Sequence, residues 1–233
     1  MPVSDWDKFM KKGWWFISVL AGYCLLGLGA PAAAAEDLPK LVKRLQPAVV
    51  KLNITKRDGR KGRASGFFIN DRGHLVTNFH AVEGYARMEV ETNSGRRYPV
   101  KSVLGVDRKS DLAKLEVAMP LPSPYLSVSS ATPDIGEKVI VLGSPQGLEQ
   151  TLSDGLVSSL RKHPKWGEVI QITAPISPGS SGSPVMNLKG QVVGVVVGAR
   201  ESGQNLNFAI PGKYVLALRD RPPGPQKAPA KGY

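Results

Sequence analysis

Residues 177–185 read S-P-G-S-S-G-S-P-V, four serines among two glycines and two prolines. Gly, Pro and Ser dominate turns, so the plain reading is a surface loop. The other reading is a nucleophilic serine held on a tight turn, and the stretch alone does not choose. A serine hydrolyses only where the chain also supplies a base, a carboxylate to hold that base, and donors for an oxyanion.

The chain has three histidines. His74 falls in the turn N-D-R-G-H and reads as a surface residue. His163 sits in the charged loop R-K-H-P-K-W. His80 ends the run H-L-V-T-N-F-H-A-V, just past an apolar strand. Alone, a histidine there is more often structural. Asp111 stands in D-R-K-S-D-L-A-K-L-E-V at the entrance of a strand, where a carboxylate can be partly buried or can simply start the turn. Asp107 is its local rival.

Around these residues the pattern is of strands. Leu38, Leu41, Val42 and Leu45 recur at helical spacing and Pro47 ends that stretch. Short apolar or alternating runs follow at Ala48–Ile54, Gly66–Ile69, His74–Thr77, Met88–Thr92, Val100–Val106 and Ala113–Val117. After a proline-bearing connector, Met119–Pro133, a second set runs through Lys138–Leu142, Thr151–Leu160, Val169–Ala174, Val185–Leu188, Val192–Val197 and Phe208–Ile210. Turn residues such as Arg57–Gly59 and Asn93–Gly95 separate them. Two sets of about six short strands predict an all-β protein built from two six-stranded antiparallel β-barrels. Tyr214–Leu218 reads as a last helical turn.

T-N-F-H-A-V, S-D-L-A-K-L and S-P-G-S-S-G-S-P thus occur in the order His, Asp, Ser. With that order on two β lobes, the chain resembles the chymotrypsin fold, and more closely the bacterial HtrA/Deg-type trypsin-like serine proteases. That family repeats T-N-x-H-V, S-D-[LI]-A and N-P-G-N-S-G-G-P. The hairpin S-G-F-F-I-N-D-R-G-H-L-V-T-N, then L-G-S-P-Q-G-L, D-G-L-V-S-S-L and N-F-A-I-P, extend the likeness over about residues 47–211.

The resemblance implies a serine-type endopeptidase with its site between the barrels. It makes Ser181 the nucleophile, His80 the general base and Asp111 the orienting carboxylate. The backbone N–H groups of Gly179 and Ser181 would form the oxyanion hole. Pro178 would stiffen the turn and Gly182 would leave room beside the nucleophile. By the same resemblance, Gly194–Gly198 and Gln204–Phe208 would line the specificity pocket. Val195, Val196, Val197 and Leu206 suggest an apolar pocket for the residue before the scissile bond, although the valines read equally as core. Three positions depart from the family. Ser180 replaces Asn, Ser183 replaces Gly, and Lys114 stands where an apolar residue is usual. A required positive φ at Ser183 would be strained. The peptide-binding PDZ domain that often follows in the family is not expected here.

The amino terminus reads as export. Lys8, Lys11 and Lys12 precede an uncharged stretch, Gly13–Ala30, and an A-x-A end at Ala33 and Ala35. That is the form of a signal peptide over residues 1–35, with an uncleaved membrane anchor through residues 13–30 as the alternative. The protease domain would then span 36–218, and 219–233 would be a Pro-rich disordered tail. The one cysteine, Cys24, lies in the leader, so the body has no disulfide, no Cys nucleophile and no Cys-based metal site.

Net charge is +12. Removing the leader's three lysines and two aspartates leaves 28 basic against 17 acidic residues. These charges are scattered, except in K-R-D-G-R-K-G-R (Lys56–Arg63) and the tail. Nothing interleaves aromatic with basic residues as nucleic-acid binders do, so no nucleic acid is expected. No cofactor motif occurs. The partners implied are protein or peptide substrates, acted on in the periplasm or cell envelope, and the oligomeric state stays open. A retired protease scaffold that binds peptide or envelope polymer is the second reading.

Overall fold

The computed structural model describes residues 37–143, 151–199 and 206–220. The leader, and the tail predicted from sequence beyond Asp220, lie outside the described residues, as does L-G-S-P-Q-G-L beyond Gly143; Arg219 and Asp220, the first two residues of that tail, are described.

Helix α1 (Leu38–Leu45) opens the described chain. Pro39 suits its first turn, where a missing N–H costs nothing. Leu41 and Leu45 are buried, while Leu38 and Val42 cover their flanks. Pro47 lies in a 3₁₀ turn, Gln46–Ala48, which stops the helix.

Six strands then close the first barrel in the order β1-β2-β3-β6-β5-β4. They are β1 (Val49–Lys56), β2 (Lys61–Phe68), β3 (His74–Asn78), β4 (Tyr85–Glu91), β5 (Arg97–Asp107) and β6 (Leu112–Val117). Six more close the second barrel as β10-β11-β12-β9-β8-β7. These are β7 (Lys138–Gly143), β8 (Thr151–His163), β9 (Gly167–Ile172), β10 (Pro184–Asn187), β11 (Val192–Ala199) and β12 (Asn207–Pro211). All the pairings are antiparallel, as the sequence pattern predicts.

Boundaries differ where polarity misleads. β2 starts at Lys61 and not at Gly66, because K-G-R-A-S pairs with Thr55–Lys51 of β1 while turning Lys61 and Arg63 to solvent. A solvated outer face carries no apolar signal. A short helix, α2 (Phe79–Val82), follows β3 directly, and α3 (Gly212–Ala217) follows β12.

Strand alternation sorts side chains into three cores. Val50, Leu52 and Ile54 of β1 point into the first barrel. Val193 and Val196 of β11 point into the second. The opposite faces, with Val49, Phe67 and Val76 of the first barrel and Val195, Val197 and Ile210 of the second, share a third core with Leu41 and Leu45 of α1. Each such fully buried aliphatic side chain is worth about 2 kcal/mol. The third core fixes one barrel against the other, and the site lies along that seam.

Candidate active site

Asp111 and the segment Asn78–His80 are joined by four hydrogen bonds. The Asp111 carbonyl accepts the Phe79 N–H at 2.9 Å and the Asn78 Nδ2–H at 3.1 Å. Its carboxylate accepts the His80 backbone N–H on Oδ1 at 2.8 Å, and His80 Nδ1 lies 2.5 Å from Oδ2. An ionised carboxylate only accepts, so Nδ1 carries the proton and the Nε2 lone pair is left for another partner. The imidazole is 44% exposed and the carboxylate 6%, so the pair faces outward from a buried anchor.

The turn after β5 sets this up. Asp107 is consumed locally, its carboxylate accepting from Lys109 N–H at 2.9 Å and from Ser110 Oγ at 2.6 Å. Asp111 then adopts φ 55°, the one positive φ on a non-glycine among the described residues. Asp tolerates that left-handed region better than most residues, and here it swings the carboxylate inward.

Residues 177–183 fold as two turns in series. Ser180 N–H donates to Ser177 O at 2.9 Å, with Pro178 second and Gly179 third at φ 96°. Proline at the second position and positive φ at the third define a type II turn. Ser183 N–H donates to Ser180 O at 2.9 Å, with Gly182 at φ 86°, giving a second. Gly182 N–H donates to Val196 O at 2.9 Å, which ties the turns to β11. Of the five amides 179–183, those of 180, 182 and 183 are therefore spent. The amides of Gly179 and Ser181 donate to nothing among the described residues. Two free N–H groups on the turn that bears a serine are suited to hold an anion.

The first barrel meets this turn through Ser65. Its N–H donates to Ser181 O at 2.8 Å and its Oγ to Gly179 O at 2.9 Å. A Cβ on Gly182 would come within 2.1 Å of Ser65 O and 2.5 Å of Thr77 Oγ1, so only glycine allows the approach. Sequence reasoning missed Ser65. The one available signal is a small polar residue inside the apolar end of β2, where it is fully buried.

Ser181 is half-buried and its hydroxyl makes no hydrogen bond to His80 among the described residues. Bonds of this type are often long in free enzymes and tighten with substrate. Two of the departures noted in the sequence are resolved. Ser183 has no positive φ, so that strain does not arise; its hydroxyl is buried without a hydrogen-bond partner among the described residues. Lys114, 12% exposed, donates to Leu218 O at 3.1 Å and pairs with Asp220, holding the end of the described chain against β6. Ser180 accepts the Ser177 N–H at 3.2 Å, bracing the turn.

The residues expected to line the specificity pocket are placed differently from one another. Val195, Val196 and Val197 are 0%, 1% and 3% exposed and belong to the cores on either side of β11. Leu206 is half-buried at the edge of the shared core. The other histidines lie apart from this constellation. His74 is half-buried beside Asn70, and burial pulls its pKa below the usual 6.5. His163 stacks on Trp166 with ring centroids 4.3 Å apart.

Residues 64–195 match the family described as "Trypsin-like peptidase domain". The chain belongs to the trypsin-like peptidase family. It is 32% identical over 210 residues to "Serine protease HTRA1B" of Danio rerio, covering 83% of this chain and 44% of that one. It is 34% identical over 167 residues to "Probable periplasmic serine endoprotease DegP-like" of Chlamydia pneumoniae, covering 68% and 34%. Its fold is that of HtrA-type proteases. A structure titled "HtrA-type protease AlgW with tripeptide" superposes with a TM-score of 0.71 at 28% identity, covering 77% of this chain and 61% of that one. The protease Rv3671c of M. tuberculosis in its active form gives 0.71 at 27% identity, covering 79% and 86%. This family member thus spans less than half the length of the curated relatives named here.

Proposed function

We propose that the chain is an exported serine endopeptidase whose triad is His80, Asp111 and Ser181. Ser181 Oγ attacks the scissile carbonyl while His80 Nε2 takes its proton. Asp111 holds the imidazole in that tautomer and stabilises it once charged. The new oxyanion is met by the amides of Gly179 and Ser181. Collapse returns the His80 proton to the leaving amine, and water then releases the acyl group by the same steps. The carrying observation is that the turn spends every amide around the nucleophile except those two. Preorganised donors of this kind each contribute about 10²–10³ in rate.

The substrates are extended protein segments in the periplasm or envelope, reached through the leader at residues 1–35, with 36–218 as the catalytic unit. The relatives named periplasmic support that location. With three valines taken up by core, an apolar preference before the scissile bond rests on Leu206 and the backbone of β11. The purified chain is expected to degrade casein and to be labelled by a fluorophosphonate, and Ser181→Ala to lose both. A folded wild type that does neither sinks this reading.

A further inference from the structure

The basic run Lys56–Arg63 stands out in the sequence, and the catalytic chemistry does not use it. It forms the end of β1, the hairpin turn and the start of β2. Register places its side chains. Lys61 pairs across β1 with Thr55, which pairs with Arg87 of β4. One step along, Arg63 pairs with Asn53, which pairs with Glu89. These positions alternate with the inward Leu52 and Ile54, so they share the outer face of the first barrel.

A cleft of about 660 Å³ lies on that face. Its far wall is Pro178 and Gly179, the residues that lead into the oxyanion turn. Four cations line it, Lys61, Arg63, Arg87 and Arg97, against one carboxylate, Glu89. Arg87 is paired to Glu89 at 2.7 Å, and Arg97 leans on Glu91 at 3.0 Å. Lys61 has no ion-pair partner among the described residues. The cleft therefore carries an uncompensated positive charge beside the reacting atoms.

Geometry says which part of a peptide reaches it. The acyl group stays on Ser181 of the second barrel, while the leaving amine takes its proton from His80 of the first. The segment after the scissile bond thus departs over the first barrel. We propose that this cleft seats that segment and selects aspartate or glutamate within it. The inference rests on the peptidase reading above and deepens it.

The test uses one casein bond that the wild type cuts, rebuilt as three quenched-fluorescence peptides. One carries two aspartates after the bond, one two alanines there, and one two aspartates before the bond. The first is expected to show kcat/KM about fivefold or more above the second at low salt, the third no gain, and the advantage to shrink in high salt. In Lys61→Glu/Arg63→Glu, and more weakly in Lys61→Ala, the ratio of the first to the second falls to one or below. Cleavage lost in Ser181→Ala but with no preference, or with equal gain on both sides of the bond, overturns the cleft assignment and leaves the peptidase standing. If the wild type cuts nothing, the peptidase reading fails. The Ser181→Ala protein then tests the cleft by fluorescence anisotropy with an acidic and a neutral casein peptide, and equal affinities overturn it.

Discussion

Ser65 of the first barrel holds Gly179 of the second by a hydrogen bond of 2.9 Å from its hydroxyl to the glycine carbonyl. The contact crosses the seam and fixes the peptide that follows an amide left without a partner among the described residues. Ser65→Ala is expected to lower stability by about 1–2 kcal/mol through the unsatisfied carbonyl. It is also expected to lower kcat by about tenfold with KM less affected, since a loosened donor is worth part of a deleted one. Urea titration and steady-state kinetics measure the two effects separately.

Asp111 accepts from both the imidazole and the backbone of His80, which makes its two oxygens unequal to replacement. Asn in its place keeps the shape and tolerates φ 55°, but offers one donor where two acceptors are needed. Asp111→Asn is expected to fold with a near-native melting temperature and to lose about 10⁴ in kcat. Asp111→Val is expected to unfold at clearly lower temperature, because a β-branched residue resists the left-handed region. Calorimetry beside a peptidase assay distinguishes the two variants.

Neighbouring positions in the turn are expected to answer oppositely. Gly182→Ala drives a methyl into the Ser65 carbonyl at positive φ, and is expected to cost more than about 2 kcal/mol together with nearly all activity. Ser183→Ala removes a buried hydroxyl that has no hydrogen-bond partner among the described residues, and is expected to be neutral or to stabilise by up to about 1 kcal/mol. A Ser183→Ala variant less stable than wild type would show that the hydroxyl is satisfied.

Glu91 on β4 supplies the pH dependence. The Lys51 ammonium 2.6 Å away, then Asn53, hold its carboxyl below the usual 4.5. A carboxyl depressed on folding adds stability that is complete above its unfolded value and is lost as pH falls through the folded one. The stability gap between wild type and Glu91→Gln is therefore expected to be widest above pH 4.5 and to close in stronger acid. Denaturation midpoints at pH 7 and pH 3 check this; a gap that widens in acid contradicts it.

Much of the fold was legible because barrel strands alternate and their turns carry Gly, Asn and Asp. Twelve strands were expected from those signals, and each has its counterpart in the structure. What polarity hid was the outer half of β2, since Lys61 and Arg63 send no signal of pairing. At the site, motif order singled out His80, Asp111 and Ser181. It could not show that Asp107 is occupied by its own turn, nor that Ser65, remote in sequence, clamps the loop that carries Ser181. Both depend on contacts between segments. The valines of β11 illustrate the converse, because three apolar residues in a row look the same whether they face a ligand or a core.

The imidazole and the hydroxyl sit on different barrels, and the second of these closes only with strands near the end of the chain. A polypeptide whose second barrel has not yet closed therefore keeps His80 and Ser181 apart and, on the proposed reading, carries no working blade. On that reading, copies still unfolded cannot cut one another, and any lapse that parts the two halves disarms the molecule before its own loops become prey.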